Sequence, residues 1–130
     1  MKKCSSIAKT CTVIIQFLFT IAVFAQNSNY KNLTKGTFNS YESKTGVVFN
    51  VGDQIELGIP SSDFGFTFIS QGGQRVSSSL AGNMVTILKL KTYGSKKRGY
   101  KMYAHFKGYG MVPVLIDLEM AQRTKEIIIE

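Results

Sequence analysis

Apolar and polar positions change rhythm twice along this chain. Val13 to Phe24 is an apolar run broken only by Gln16 and Thr20, Gln26 to Thr45 is polar, and from Gly46 onward short β-rich runs alternate with Gly, Asn and Ser. The apolar run follows Lys2, Lys3 and Lys9 and ends in Val23-Phe24-Ala25 before Gln26, the layout of a secretory signal peptide. It is well short of the roughly 20 residues that cross a bilayer as a helix. Cleavage after Ala25 is therefore expected, with export to the periplasm, outer surface or extracellular space and no membrane span afterwards. Cys4 and Cys11 precede the apolar run, which argues against lipid attachment.

The expected organisation is a leader over 1–25, a polar segment over 26–45 and a small β domain over 46–130. In the polar segment, Tyr30, Leu33, Phe38 and Tyr41 are spaced for one or two short helical turns, while Gly36 and cap-favouring residues oppose a long helix. Asn32-Leu33-Thr34 fits a glycosylation sequon, relevant only in a eukaryotic host; the leader is read as bacterial.

Beyond Gly46, Gly46 to Asn50 and Gln54 to Gly58 read as strands around Val51-Gly52-Asp53. Phe64 to Ser70 alternates, which predicts Phe64, Phe66 and Phe68 inward and Thr67 and Ile69 outward. Gln71 to Asn83 reads as a long loop. Met84 to Tyr93 and Gly99 to Lys107 form a hairpin joined by Gly94 to Arg98, with Tyr100, Met102, Ala104 and Phe106 on the core face. Gly108-Tyr109-Gly110 turns the chain into a strand from Met111 to Ile116, and Pro113 puts that strand at an edge or marks its start. Asp117 to Lys125 closes as a short helix capped by Asp117, docked through Leu118 and Ala121 over an open end of the sheet. Ile127-Ile128-Ile129 is expected to pair with an edge strand.

Composition adds charge and removes covalent chemistry. Loss of the leader lysines lowers the formal charge from +8 to +5 over about 105 residues, the size of one domain. The same cleavage removes both cysteines, so disulfides, thiolate catalysis and cysteine metal ligation are excluded from the mature domain. A basic surplus favours an anionic glycan, an anionic lipid or an envelope protein as partner, and export argues against nucleic acid.

The candidate chemistry lies on the hairpin. Lys89, Lys91, Lys96, Lys97, Arg98, Lys101 and Lys107 fall within about twenty residues, and Tyr93, Tyr103 and His105 interleave them. Aromatic rings stack on sugars or bases while cations neutralise phosphate or carboxylate. An exposed strand whose lysines discourage edge-to-edge pairing would look the same. His105 is the one histidine, so no multi-histidine metal site exists, and no glycine pattern cradles a phosphate; no cofactor is expected. A Ser-His-Asp trio could be drawn from Ser77 to Ser79, His105 and Asp117, and carboxylate pairs from Asp53 with Glu56 or Asp117 with Glu119. No nucleophile-elbow motif accompanies them, and enzymatic activity is not expected.

Val51-Gly52-Asp53-Gln54-Ile55-Glu56-Leu57-Gly58 and Val114-Leu115-Ile116-Asp117-Leu118-Glu119-Met120-Ala121 resemble segments of short exported bacterial proteins of uncharacterised function built on a small SH3-like barrel. Gly permits a tight corner there, and Asp bonds its own turn. The resemblance implies a fold and transfers no site residue. The expectation is thus a mainly β domain: a strongly bent antiparallel sheet or partly open SH3-like barrel of about five to seven strands, with a short C-terminal helix. Its expected role is binding through the hairpin; the alternatives are a self-associating envelope protein and a small hydrolase.

Overall fold

The computed structural model describes residues 26–107 and 112–129. The expected leader with its two cysteines, the expected turn at 108–110 and the strand start at Met111 lie outside the described residues.

The polar N-terminal segment forms strands where helical turns were expected: β1 (Asn27–Asn29), β2 (Thr37–Phe38) and β3 (Ser40–Glu42). Asn29 Oδ1 accepts from the amides of Lys31 and Asn32 at 3.0 and 3.2 Å, a side-chain turn that competes with helix. Thr92 Oγ1 donates to Thr34 O at 2.7 Å and accepts from Gly36 N at 2.9 Å. Partners from the distant hairpin thus fix this backbone.

β3 pairs in parallel with β1 and antiparallel with β4 (Val48–Asn50), making a three-stranded sheet. The corner into β5 (Gln54–Leu57) is held by Asp53, whose Oδ2 accepts from Asn50 N at 2.8 Å.

The Phe64 to Ser70 alternation is corrected by the structure. Phe66 is fully buried and Phe68 partly so, but Phe64 is 86% exposed and Ile69 lies in the core. Only Ile69–Gln71 is a strand, β6. The amides of Thr67 and Phe68 bond the Glu126 carboxylate instead of a neighbouring strand, and Ser62 to Gly65 form a turn, so period-two geometry never starts. The expected long loop also contains structure: β6 turns into β7 (Gln74–Arg75) through Gly72 and Gly73, at φ 60° and 78°. That pair of positive φ values is what a tight two-residue hairpin turn demands. Val76 then enters the core, and Ser77 caps a 3-10 turn over Ser78–Leu80.

The main sheet is a curled half-barrel in the order β11-β5-β8-β9-β10-β6-β7, with β2 added beside β8. Its centre is the hairpin of β8 (Met84–Ser95) and β9 (Gly99–Phe106), continued by β10 (Val114–Asp117) and, across the molecule, β11 (Ile127–Ile128). The strands beyond the expected five to seven come from the N-terminal segment and the β6–β7 hairpin. β8 pairs with β5 through its start and with β2 further along, while β9 runs along its other side. Pro113 stands just before β10, where no ladder donor is needed, and β10 lies between β9 and β6.

Between β10 and β11 lies α1 (Leu118–Arg123), shorter than the Asp117 to Lys125 expectation. Asp117 caps it, accepting from Met120 N at 3.4 Å, and Leu118 and Ala121 are fully buried against the sheet. It stops because Lys125 adopts φ 62°: Lys125 N donates to Gln122 O at 3.2 Å and Glu126 N to Ala121 O at 2.9 Å, the Schellman pattern. Ile127 and Ile128 then pair with β5, as the apolar tail suggested. Phe49, Ile55, Leu57, Ile87, Leu90, Met102, Phe106 and Ile116 fill the interior from both sheets. Among the described residues no helix is long and apolar enough to cross a membrane.

Candidate functional site

The face that carries the hairpin's cations depends on one extra residue. Register along β8 slips between Ile87 and Lys89, leaving Leu88 as a bulge. Ile87 points into the core before the bulge and Leu90 and Thr92 after it, so Lys89, Lys91 and Tyr93 emerge together on the outside. Gly94 ends this run at φ 133°, where a Cβ would collide with the Gly99 carbonyl oxygen across the hairpin. Only glycine fits there.

On the outer face the register sets three rows in which a cation faces a ring: Lys89 opposite His105, Lys91 opposite Tyr103, and Lys101 opposite Tyr93. Tyr93 meets Tyr103 edge-on with centroids 5.3 Å apart and stacks near His105 at 5.8 Å. Its hydroxyl lies 2.8 Å from His105 Nε2, and Lys91 Nζ stands 5.3 Å from its ring centroid. Burial, then the charges of Lys89 and Lys91, lower the His105 pKa from its ordinary value, which keeps the imidazole neutral at neutral pH. Burial and the Asp117 carboxylate push the Tyr103 hydroxyl up.

Asp117 is the acid of this face. Buried beside Tyr103 at the end of β10, it lies 3.8 Å from Lys101, the one ion pair found among the described residues. Burial raises its carboxyl pKa against the pull of the Met120 amide and Lys101. Lys96, Lys97 and Arg98 are exposed at the tip, with Arg98 N held by Ser95 Oγ at 3.1 Å. Lys107 lies past the end of β9 and joins none of the rows. The structure therefore gathers Lys89, Lys91, Tyr93, Lys101, Tyr103 and His105 into one platform with the tip cations beside it. The sequence marks Asp117 as a helix cap and as a member of the imagined trio and carboxylate pair; its place on the platform has no local signal, because strand pairing brings it there.

The sequence-drawn trio is not brought together. His105 Nε2 pairs with Tyr93, Asp117 with Met120 N and Lys101, and Ser77 Oγ with Ser79. Of the carboxylate pairs, Asp53 holds the β4–β5 corner, and Glu119 Oε1 accepts from Tyr41 Oη at 2.6 Å and from Lys44 N at 3.0 Å. Burial, then the Glu119 hydrogen bond, raises the Tyr41 hydroxyl well above the ordinary tyrosine range, so it donates and does not ionise. Among the described residues no three His, Cys, Asp or Glu side chains converge as metal ligands.

Comparison of the chain with protein-family models, curated proteins and solved structures finds no match.

Proposed function

We propose that this chain is an exported binding module that takes an anionic polymer of the cell envelope on the outer face of the β8–β9 hairpin. The observation that carries the reading is the three-row platform, in which each lysine faces a ring across the strands. Rows spaced about 7 Å apart along the strand suit a ligand that repeats. Rings supply contact area at low entropy cost, lysines attract the charge, and the Asp117 carboxylate beside them is buried against Lys101.

The test is retention on immobilised dextran sulfate and on the host's acidic envelope polysaccharide. Replacing Lys96, Lys97 and Arg98 by Glu, or Lys89 and Lys91 by Glu, should abolish retention at low salt, and rising salt should weaken the unaltered protein. Unchanged retention by both variants refutes the reading.

A second reading, self-association as an envelope accessory protein, is favoured by one separate patch. Val48, Met84, Ile128 and Ile129 are all substantially exposed around a groove of about 320 Å³ beside the edge strand β11. Sedimentation velocity of Ile128→Lys against the unaltered chain decides it: a shift from dimer to monomer supports this reading, and a monomer in both cases ends it.

A further inference from the structure

All five described tyrosines, Tyr30, Tyr41, Tyr93, Tyr100 and Tyr103, border one cleft of about 620 Å³ between the N-terminal segment, the hairpin tip and α1. Topology opens the cleft. β10 ends at Asp117 opposite Tyr103 and turns into α1, so among the described residues no strand lies beside 99–102 of β9 on that side. Lys44, Arg98, Lys101 and Arg123 stand around the opening. The two carboxylates there, Asp117 and Glu119, are held internally by Met120 N, Lys101, Tyr41 and Lys44 N. Positive charge is what the cleft presents to solvent. Tyr41 Oη is committed to Glu119 and Tyr93 Oη to His105, whereas no hydrogen bond among the described residues fixes the hydroxyls of Tyr30, Tyr100 and Tyr103.

We propose that this cleft seats one carboxylated sugar residue, a uronate unit, of the polymer held by the hairpin; the proposal rests on the polyanion reading above and names the ligand class. A pyranose ring has one polarised C–H face that packs on an aromatic ring, hydroxyls that pair with phenolic hydroxyls, and in a uronate a carboxylate that suits an arginine fork. The volume lies within the ordinary range for small-ligand sites. An extended acidic peptide would enter as an added strand along β9, a mode that the packing of α1 against β9 opposes.

The experiment uses the chain from Gln26 to Glu130 with hexagalacturonate, its methyl ester, poly-glutamate and dextran sulfate as probes in calorimetry. Tyr100→Ala and Arg123→Gln lie outside the platform, and each should weaken hexagalacturonate about tenfold while leaving dextran sulfate within about twofold. Tyr100→Phe, which keeps the ring, controls for folding and should retain at least about a third of the affinity. The methyl ester should bind at least about tenfold more weakly than the acid. If the cleft variants bind hexagalacturonate like the unaltered chain while Lys89→Glu with Lys91→Glu loses it, the cleft assignment is wrong and the platform stands. If poly-glutamate binds as tightly as the uronate, the site is a peptide site. If neither hexagalacturonate nor dextran sulfate binds the unaltered chain, the underlying polyanion reading fails as well.

Discussion

Glu126 Oε1 accepts a 2.6 Å hydrogen bond from the backbone amide of Phe68, 58 residues earlier in the chain. Its other oxygen takes the amides of Thr67 and Ser61 at 2.7 and 3.0 Å and the Ser61 hydroxyl at 2.7 Å, so one fully buried carboxylate ties the chain entering β6 to the start of β11. Burial alone would raise its pKa, but these four donors outweigh it and the folded value lies below the ordinary one.

Glu126→Ala leaves three part-buried amides without an acceptor and should cost about 3 to 5 kcal/mol in urea unfolding. A depressed folded pKa makes the Glu126 contribution complete above the ordinary glutamate value and lost as pH falls through the folded one. Asp117, whose folded value is raised, acts in the opposite sense: its contribution is complete below the ordinary aspartate value and declines as pH rises through the folded one. Glu126→Gln should therefore remove part of the acid sensitivity, and Asp117→Asn should steepen the loss of stability on acidification. Unfolding curves at a series of acidic pH values separate the two.

Lys125 occupies the left-handed C-terminal position of the helix stop, at φ 62°, where a side chain is strained. Lys125→Gly should raise stability by about 0.5 to 1 kcal/mol, read as a higher urea midpoint at unchanged slope. A loss would mean that the lysine charge at the helix end outweighs the strain.

His105 titrates below its ordinary value because of burial and the neighbouring Lys89 and Lys91. In Lys89→Gln with Lys91→Gln, its pKa should move up toward the ordinary histidine value, followed by NMR of the imidazole nitrogens. No movement would place the cause in burial alone.

Phe66 and Phe64 are two residues apart and differ completely in burial. Phe66→Ala should cost about 3 to 5 kcal/mol, whereas Phe64→Ala should stay within about 0.5 kcal/mol. Equal losses would restore the inward alternation that the sequence suggests.

Local pattern carried a good part of this molecule. The β8–β9 hairpin, the inward set Met102, Ala104 and Phe106, the Asp117 cap and the pairing of Ile127 and Ile128 all follow from periodicity or cap chemistry within a few residues. The glycine pair at 72 and 73 was a hairpin signal too, masked by the polar serines around it. Of the platform, Lys101, Tyr103 and His105 were legible as outward, because alternation assigns a face on β9, whereas the bulge at Leu88 decides the face of Lys89, Lys91 and Tyr93.

By itself, then, the sequence determined that this is a mainly β domain and which side of β9 carries charge, since side-chain alternation is a property of an unbulged strand alone. Only the tertiary structure decided that Glu126 anchors distant amides, that Thr92 holds Thr34 and Gly36 of the N-terminal segment, and that tyrosines from four separate parts of the chain border one cleft. Those outcomes depend on where buried backbone groups find hydrogen-bond partners across the fold, and no window of neighbouring residues contains both partners.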